Sequence, residues 1–282
     1  MSYTPYKAPT IQKFPSTGTT TGYLFTVSSA NATVGATYTN NGNTYTVLGT
    51  ISSGTLLFCS GASAPQSSGT LTKATGTGDS TITFSAAVPL ATYTPPTNPS
   101  PLYRRVRIVG GGGGGGGSGA GAGNGTAGGT TTFGIFLLIA NGGSGGGGVT
   151  QISSSGGTAS IGVGAAGIAM QGGSSQGGTT DASSAFRAGG MGGVTPFGGA
   201  GGSGTAAIAN SGSGGGGGSV GDFNEATGAG GGAGGFIDAI VSSSSSQYFC
   251  IGAGGAGGSA GTSGSAGGAG GSGFIEVTEY YQ

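Results

Sequence analysis

Two pairs of carboxylates lie close enough in sequence to share acid and base work, Asp222 with Glu225 and Glu276 with Glu279. Such pairs do chemistry when their surroundings drive the two pKa values apart. The first pair occupies a loop-like stretch, Val220-Gly-Asp-Phe-Asn-Glu225, and the second a terminal strand. Both read as solvated surface charge. Asp222, Asn224 and Glu225 offer too few oxygens for calcium, which takes about six to eight. The chain has no histidine, which excludes Ser/His/Asp and Cys/His catalysis. Gly252-Ala-Gly-Gly-Ala-Gly257 spells the dinucleotide pattern G-x-G-x-x-G. No helix-forming stretch follows to receive a pyrophosphate, and chance matches are common in so glycine-rich a chain. No lysine follows Lys73, so there is no phosphate loop. The expectation is no catalytic residue, no cofactor and no metal.

Cys59 and Cys250 are far apart, in the apolar contexts Leu56-Leu-Phe-Cys59 and Tyr248-Phe-Cys-Ile251. They read as buried free thiols rather than a disulfide framework. Seven basic residues balance seven acidic ones, and none of either sign lies between Arg107 and Asp181. Nucleic-acid binding needs a cationic footprint that this chain lacks. The one basic cluster, Arg104, Arg105 and Arg107, reads as a solvated strand edge blocked against wrong pairing. No apolar run approaches the roughly 18 residues of a membrane span, so no membrane insertion is expected. Met1 to Lys7 has neither a basic nor an apolar signal region, which points to synthesis in a cytoplasm without export.

The elements that must position these groups are set by glycine, 74 of 282 residues, concentrated beyond Val109. Gly110 to Gly117 are eight in a row, directly after the strand-like Tyr103-Arg-Arg-Val-Arg-Ile-Val109. Glycine has no side chain to bury and loses the most backbone entropy on folding. A chain that keeps such runs is either disordered or packs backbone on backbone. Charged residues are only 5%, and apolar clusters such as Phe133-Gly-Ile-Phe-Leu-Leu-Ile139 interrupt the glycine, which favours order.

Four regions follow. Residues 1–16 form an extended N-terminal anchor, where Pro5, Pro9 and Pro15 forbid a helix. Residues 17–88 form a small β module of short β-branched and aromatic runs. In it, Asn40-Asn-Gly-Asn43 marks a hairpin because Asn and Gly tolerate positive φ. Open edges such as Thr44 to Leu48 suggest self-association. Residues 89–102, with Pro89, Pro95, Pro96, Pro99 and Pro101, read as a stiff connector. Residues 103–282 form the glycine-rich domain, with strands at 103–109, 236–241, 247–251 and 274–281, the middle two facing each other across Ser242 to Ser246. At its end, either Phe274 or the set Ile275, Val277 and Glu279 faces inward. The expected fold class is all-β: a small β module plus a domain of packed polyglycine-II-like helices framed by strands.

Phe133, Phe136, Phe186, Phe197 and Phe223 lie in or beside glycine-rich loops and can either fill a small core or anchor contacts. Turn residues surround Phe186-Arg187 and Pro196-Phe197, so Phe186, Arg187, Pro196 and Phe197 are the candidate surface contacts.

A strand such as Tyr103 to Val109 running into polyglycine, a body of glycine, alanine and serine, and the ending Gly271-Ser-Gly-Phe-Ile-Glu-Val-Thr-Glu-Tyr-Tyr281 together resemble the glycine-rich domain of bacteriophage tail-fibre and adhesin proteins. The leader Tyr6-Lys-Ala-Pro-Thr-Ile-Gln-Lys-Phe14 also resembles the start of glycine-rich virion proteins. The resemblance implies a non-enzymatic virion fibre or tip protein, made in the host cytoplasm and often trimeric. It would contact other virion proteins through its N-terminal segment and a host receptor, a glycan or an outer-membrane protein. The alternatives are a purely structural virion component, such as a head fibre or decoration protein, and a self-assembling extracellular filament.

Overall fold

The structure is a computed structural model that describes residues 7–14, 19–49, 51–61, 63–149, 152–179, 187–220 and 226–281. The strands in it are β1 (Thr10–Phe14), β2 (Gly22–Ala32), β3 (Thr37–Asn40), β4 (Asn43–Val47), β5 (Ile51–Ser60), β6 (Gly69–Thr75), β7 (Thr81–Tyr93), β8 (Tyr103–Val109), β9 (Thr131–Phe133), β10 (Leu138–Ala140), β11 (Ala159–Ile161), β12 (Ala165–Met170), β13 (Phe236–Val241), β14 (Gln247–Cys250) and β15 (Phe274–Tyr280).

Period-two alternation in β2 to β7 sends one face of every strand inward. The strands close in the order β7-β2-β5-β4-β3-β6, and β6 returns to β7. The hairpin at Asn40–Asn43 joins β3 to β4 with positive φ at both Asn41 (50°) and Gly42 (77°). That twist matches the flanking strands. Register shifts in β2 against β5 and β7 let the long strands bend around the barrel. The interior holds Phe25, Tyr38, Tyr45, Leu57, Leu71, Ile82 and Phe84, all buried. Phe25 lies edge-on to Tyr45 at 5.3 Å and to Phe84 at 5.1 Å. Each ring buried this way contributes about 1.5–3 kcal/mol. The two inward hydroxyls are satisfied by carbonyls, Tyr38 donating to Asp79 and Tyr45 to Ser63. Closure leaves the expected edge at Thr44 to Leu48 without an opening, because β4 pairs with β3 on one side and β5 on the other. The barrel therefore offers no exposed edge there for self-association.

β7 runs past the barrel, so Pro89 belongs to a strand rather than to a connector. Its last residues, Ala91 to Tyr93, pair with β14, which continues the sheet through β9, β10 and β11. A second sheet, in the order β1-β15-β8-β13-β12, packs over this extension. Val106, Ile108, Ile237, Val241, Ile275 and Val277 from the second sheet meet Phe133, Leu138 and Phe249 from the first. The inward set of β15 is thus Ile275, Val277 and Glu279. β13 and β14 do not face each other in one sheet; the serine stretch 242–246 carries the chain from one sheet to the other. β8 lies between β15 and β13, so the basic cluster is on a central strand and not at an edge.

The glycine runs cross-link sideways. None of Gly110 to Gly117 has positive φ. Their N–H groups turn to three neighbours in rotation. Gly110, Gly113 and Gly116 donate to Gly235, Gly232 and Ala229; Gly111, Gly114 and Gly117 to Gly129, Thr126 and Gly123; Gly112, Gly115 and Ser118 to Gly271, Gly268 and Ser265. The descending partner numbers mark antiparallel neighbours. Three parallel segments return the bonds, with Gly143 and Gly146 donating to Gly111 and Gly114, Gly215 and Gly218 to Gly113 and Gly116, and Gly255 and Gly258 to Gly112 and Gly115. One segment is ringed by six, and its backbone polar groups are satisfied without side chains. A Cβ on Gly114 would fall inside 3.0 Å of the Ala256 carbonyl and the Gly257 nitrogen, so that site admits only glycine.

This corrects the expected fold class. The chain is all-β, but among the described residues there is no helix, and the regular elements are strands in a closed six-stranded barrel and two opposed sheets. The expected domain of packed polyglycine-II-like helices framed by strands gives way to a sandwich with its own apolar core, whose strands are linked by extended glycine segments. The apolar insertions at Phe133–Ile139 and Tyr248–Ile251 supply that core, the first as the end of β9, a turn and the start of β10, the second mostly as β14.

Candidate binding cleft

Pairing across the five-stranded sheet sets side chains from distant parts of the chain in rows. On the outer face, Lys13 stands opposite Glu276, Glu276 opposite Arg107, Arg107 opposite Asp238, and Asp238 opposite Ile168. The signs alternate, as cross-strand pairing favours. Arg107 hydrogen-bonds Glu276, and Lys13 Nζ lies 3.4 Å from the other Glu276 oxygen. Arg105 holds Asp238 with both nitrogens of its fork, Nε at 2.8 Å. That hydrogen bonding keeps the Asp238 carboxyl below its usual pKa, against some desolvation.

Beside this row, Phe274, Val109, Phe236 and Met170 form the next one. Phe197 settles onto it. The tight turn from Thr195 to Gly198 closes through a bridge, and Thr195 Oγ1 accepts the Phe197 N–H at 3.3 Å. The ring of Phe197 is edge-on to Phe274 at 4.5 Å and to Phe236 at 5.2 Å, with the Arg107 guanidinium 5.5 Å from its centroid. Together Lys13, Phe14, Arg107, Phe197, Asn210, Phe274 and Glu276 line a cleft of about 520 Å³. Asn210, at φ 56°, is fixed by Ser272, whose hydroxyl donates to its side-chain oxygen at 2.9 Å. The cleft thus combines aromatic walls with a cation pair, a carboxylate and a planar amide, within the ~300–1,000 Å³ typical of small-molecule sites.

The four sequence-expected contacts fare differently. Phe197 lines the cleft and Pro196 is exposed beside it. Arg187 is 5% exposed and its backbone pairs with Val220, so it lies beneath the surface rather than on it. Phe186 lies outside the described residues, as do Asp222, Phe223, Asn224 and Glu225. Phe133 fills the sandwich core, and Phe136 packs on Phe58 at 4.8 Å. Sequence reasoning missed Lys13, Arg107, Asn210 and Glu276 as a group. Lys13, Arg107 and Glu276 share a signal only as parity along paired strands, which requires the register; Asn210 lies in a turn and shares none.

The inner face of the same strands carries a second polar cluster. Glu276 and Glu279 point to opposite faces and both are buried, so they are neither a catalytic pair nor solvated charge. Glu279, 1% exposed, accepts hydrogen bonds from Thr10 Oγ1 at 2.6 Å, Gln12 Nε2 at 2.9 Å, Tyr93 Oη at 2.6 Å and Tyr281 Oη at 2.7 Å. Burial alone would raise its pKa, but the hydroxyls of Thr10, Tyr93 and Tyr281 and the charge of Lys7 outweigh it and hold the carboxyl below its usual value. Burial, and then the bond to Glu279, pushes the Tyr93 phenol well up. Arg104, directly opposite Glu279 and equally buried, places its guanidinium 5.3 Å from the Tyr93 ring centroid. This seam ties barrel strand β7 to β1, β8 and β15.

Among the described residues no cluster of three or more potential metal ligands occurs. The Gly252–Gly257 motif lies in a glycine segment of the cross-linked body, with Gly255 N–H spent on Gly112. Compared with protein-family models, with curated proteins and with solved structures, the chain matches none.

Proposed function

We propose that this chain is a non-enzymatic virion fibre or tip protein of a bacteriophage, acting at the host cell surface. The observation that carries the reading is the glycine segment ringed by six others. It is a scaffold held almost wholly by backbone hydrogen bonds, nearly free of charge, and so rigid enough to present a contact site without a large side-chain core. The Phe197 cleft lies where loops of that scaffold meet the outer face of the five-stranded sheet, and it supplies the contact by shape, aromatic surface and a few polar groups. β1 is the outermost strand of its sheet, and its open edge supports attachment of other virion proteins near the N-terminus. The test is adsorption of the purified protein to intact host cells, with Phe197→Ser as the contact variant. Saturable binding that the substitution weakens supports the reading; absence of cell binding sinks it.

A second reading, a purely structural virion component or a self-assembling filament, draws on β12. This strand ends its sheet, carries no charge and leaves Ile168 and Met170 exposed at 62% and 48%. Such an edge is a template for another chain. Light scattering separates the readings, since a filament grows with concentration whereas a homotrimer stops at three copies.

A further inference from the structure

We infer that the Phe197 cleft binds a carboxylated sugar unit, an acidic residue of a cell-surface polysaccharide. This deepens the host-contact reading and rests on it. A pyranose ring has a flat C–H face and a rim of hydroxyls. The cleft answers both, with Phe197 and Phe274 as aromatic walls and the Glu276 carboxylate and Asn210 amide as planar hydrogen-bonding groups. The Ser272 hydroxyl fixes the amide and the cross-strand partners fix the carboxylate, so both are ordered before a ligand arrives, which lowers the entropic cost of binding.

Charge selects the acidic member. Of the groups lining the cleft, Lys13 and Arg107 bring two positive charges against one carboxylate, Glu276, while Asp238 on the far side of Arg107 is held by Arg105, so the cleft carries one positive charge beyond neutrality. Glu276 is buried and Arg107 half-buried, while the Lys13 side chain is 71% exposed. Lys13 can therefore leave Glu276 to Arg107 and reach a ligand carboxylate at the mouth. A neutral sugar leaves that cation unmatched, and a cationic ligand is repelled.

The experiment titrates the full chain with glucuronate and, separately, glucose, by ligand-observed NMR with calorimetry. Glucuronate should bind with a Kd of order 1 mM, as expected of a single small unit, at least tenfold more tightly than glucose, and more weakly at high salt. Phe197→Ala should abolish binding. Lys13→Ala, at an exposed position that cannot unfold the sheet, should cost several-fold for glucuronate and little for glucose. Equal binding of the two sugars, no binding of glucuronate, or glucuronate binding unchanged in Lys13→Ala overturns the inference. Sugar binding without cell adsorption would overturn the attachment reading alone. Cell adsorption without glucuronate binding would overturn only the ligand class.

Discussion

The Tyr93 hydroxyl donates to Glu279 Oε1 at 2.6 Å across a buried seam, joining residues 186 apart in the chain. One sits at the end of the longest barrel strand and the other near the C-terminus. With Thr10, Gln12 and Tyr281 on the same carboxylate, this bond makes the barrel, the leader strand and the sandwich one cooperative unit.

Replacing Glu279 with Gln should therefore destabilise the fold by about 2–3 kcal/mol at pH 7, since charge-assisted hydrogen bonds in a buried site are lost. The pH dependence has a definite sign. Because the folded carboxyl titrates below its ordinary 4.5, the unfolded chain binds more protons at acid pH. The contribution of Glu279 is complete above that ordinary value and is lost as pH falls through the folded one. Urea melts of wild type and Glu279→Gln should converge as pH falls below 4.5 and through the lowered folded value. A gap that stays constant with pH would contradict this.

Glycines in the body should divide sharply by position. Gly114→Ala drives a methyl into the Ala256 carbonyl, whereas at Gly199 nothing lies within 4 Å of a Cβ. The first should cost more than about 3 kcal/mol or prevent folding, and the second should be neutral or stabilise by up to about 1 kcal/mol through the unfolded chain. Thermal melts of the pair decide it. Comparable effects at both sites would show that the cross-linked packing does not govern stability.

Both thiols should resist modification in the native protein. Burial pushes Cys59 up to about 12 and Cys250 up to about 11, so neither supplies thiolate near neutral pH. An aromatic disulfide reagent at pH 8 should label no cysteine until denaturant is added, and then two. Rapid native labelling of either would place it nearer the surface.

Assembly should depend on the edge of β12. Ile168→Lys, at an exposed outer position, should leave unfolding free energy within about 0.5 kcal/mol while lowering the mass seen by light scattering. An unchanged assembly would move the interface away from this strand.

How far the sequence reaches can be judged from particular residues. The barrel strands were legible because β-branched and aromatic residues alternate there and turn signals separate them; Asn41 and Gly42 adopt the φ values their types favour. The polarity of β15 was half legible, since Ile275, Val277 and Glu279 share a parity. The same parity places Arg104 with Val106 and Ile108, and so could have marked that arginine as buried. The burial of Cys59 and Cys250 followed from their apolar neighbours.

By itself, then, the sequence determined that the chain is all-β, that its body is either disordered or packed backbone on backbone, and where most strands lie, because these depend on local periodicity and on the absence of a Cβ. Tertiary structure alone decided the rest. Barrel closure depends on β6 meeting β7, and glycine carries no side-chain pattern to say which of many similar segments is its neighbour. The cleft exists only because register sets Lys13 beside Glu276 and Arg107, and because the turn at Thr195–Gly198 lowers Phe197 onto Phe274. Those are long-range pairings, fixed by the packing of whole sheets and written in no local run of residues.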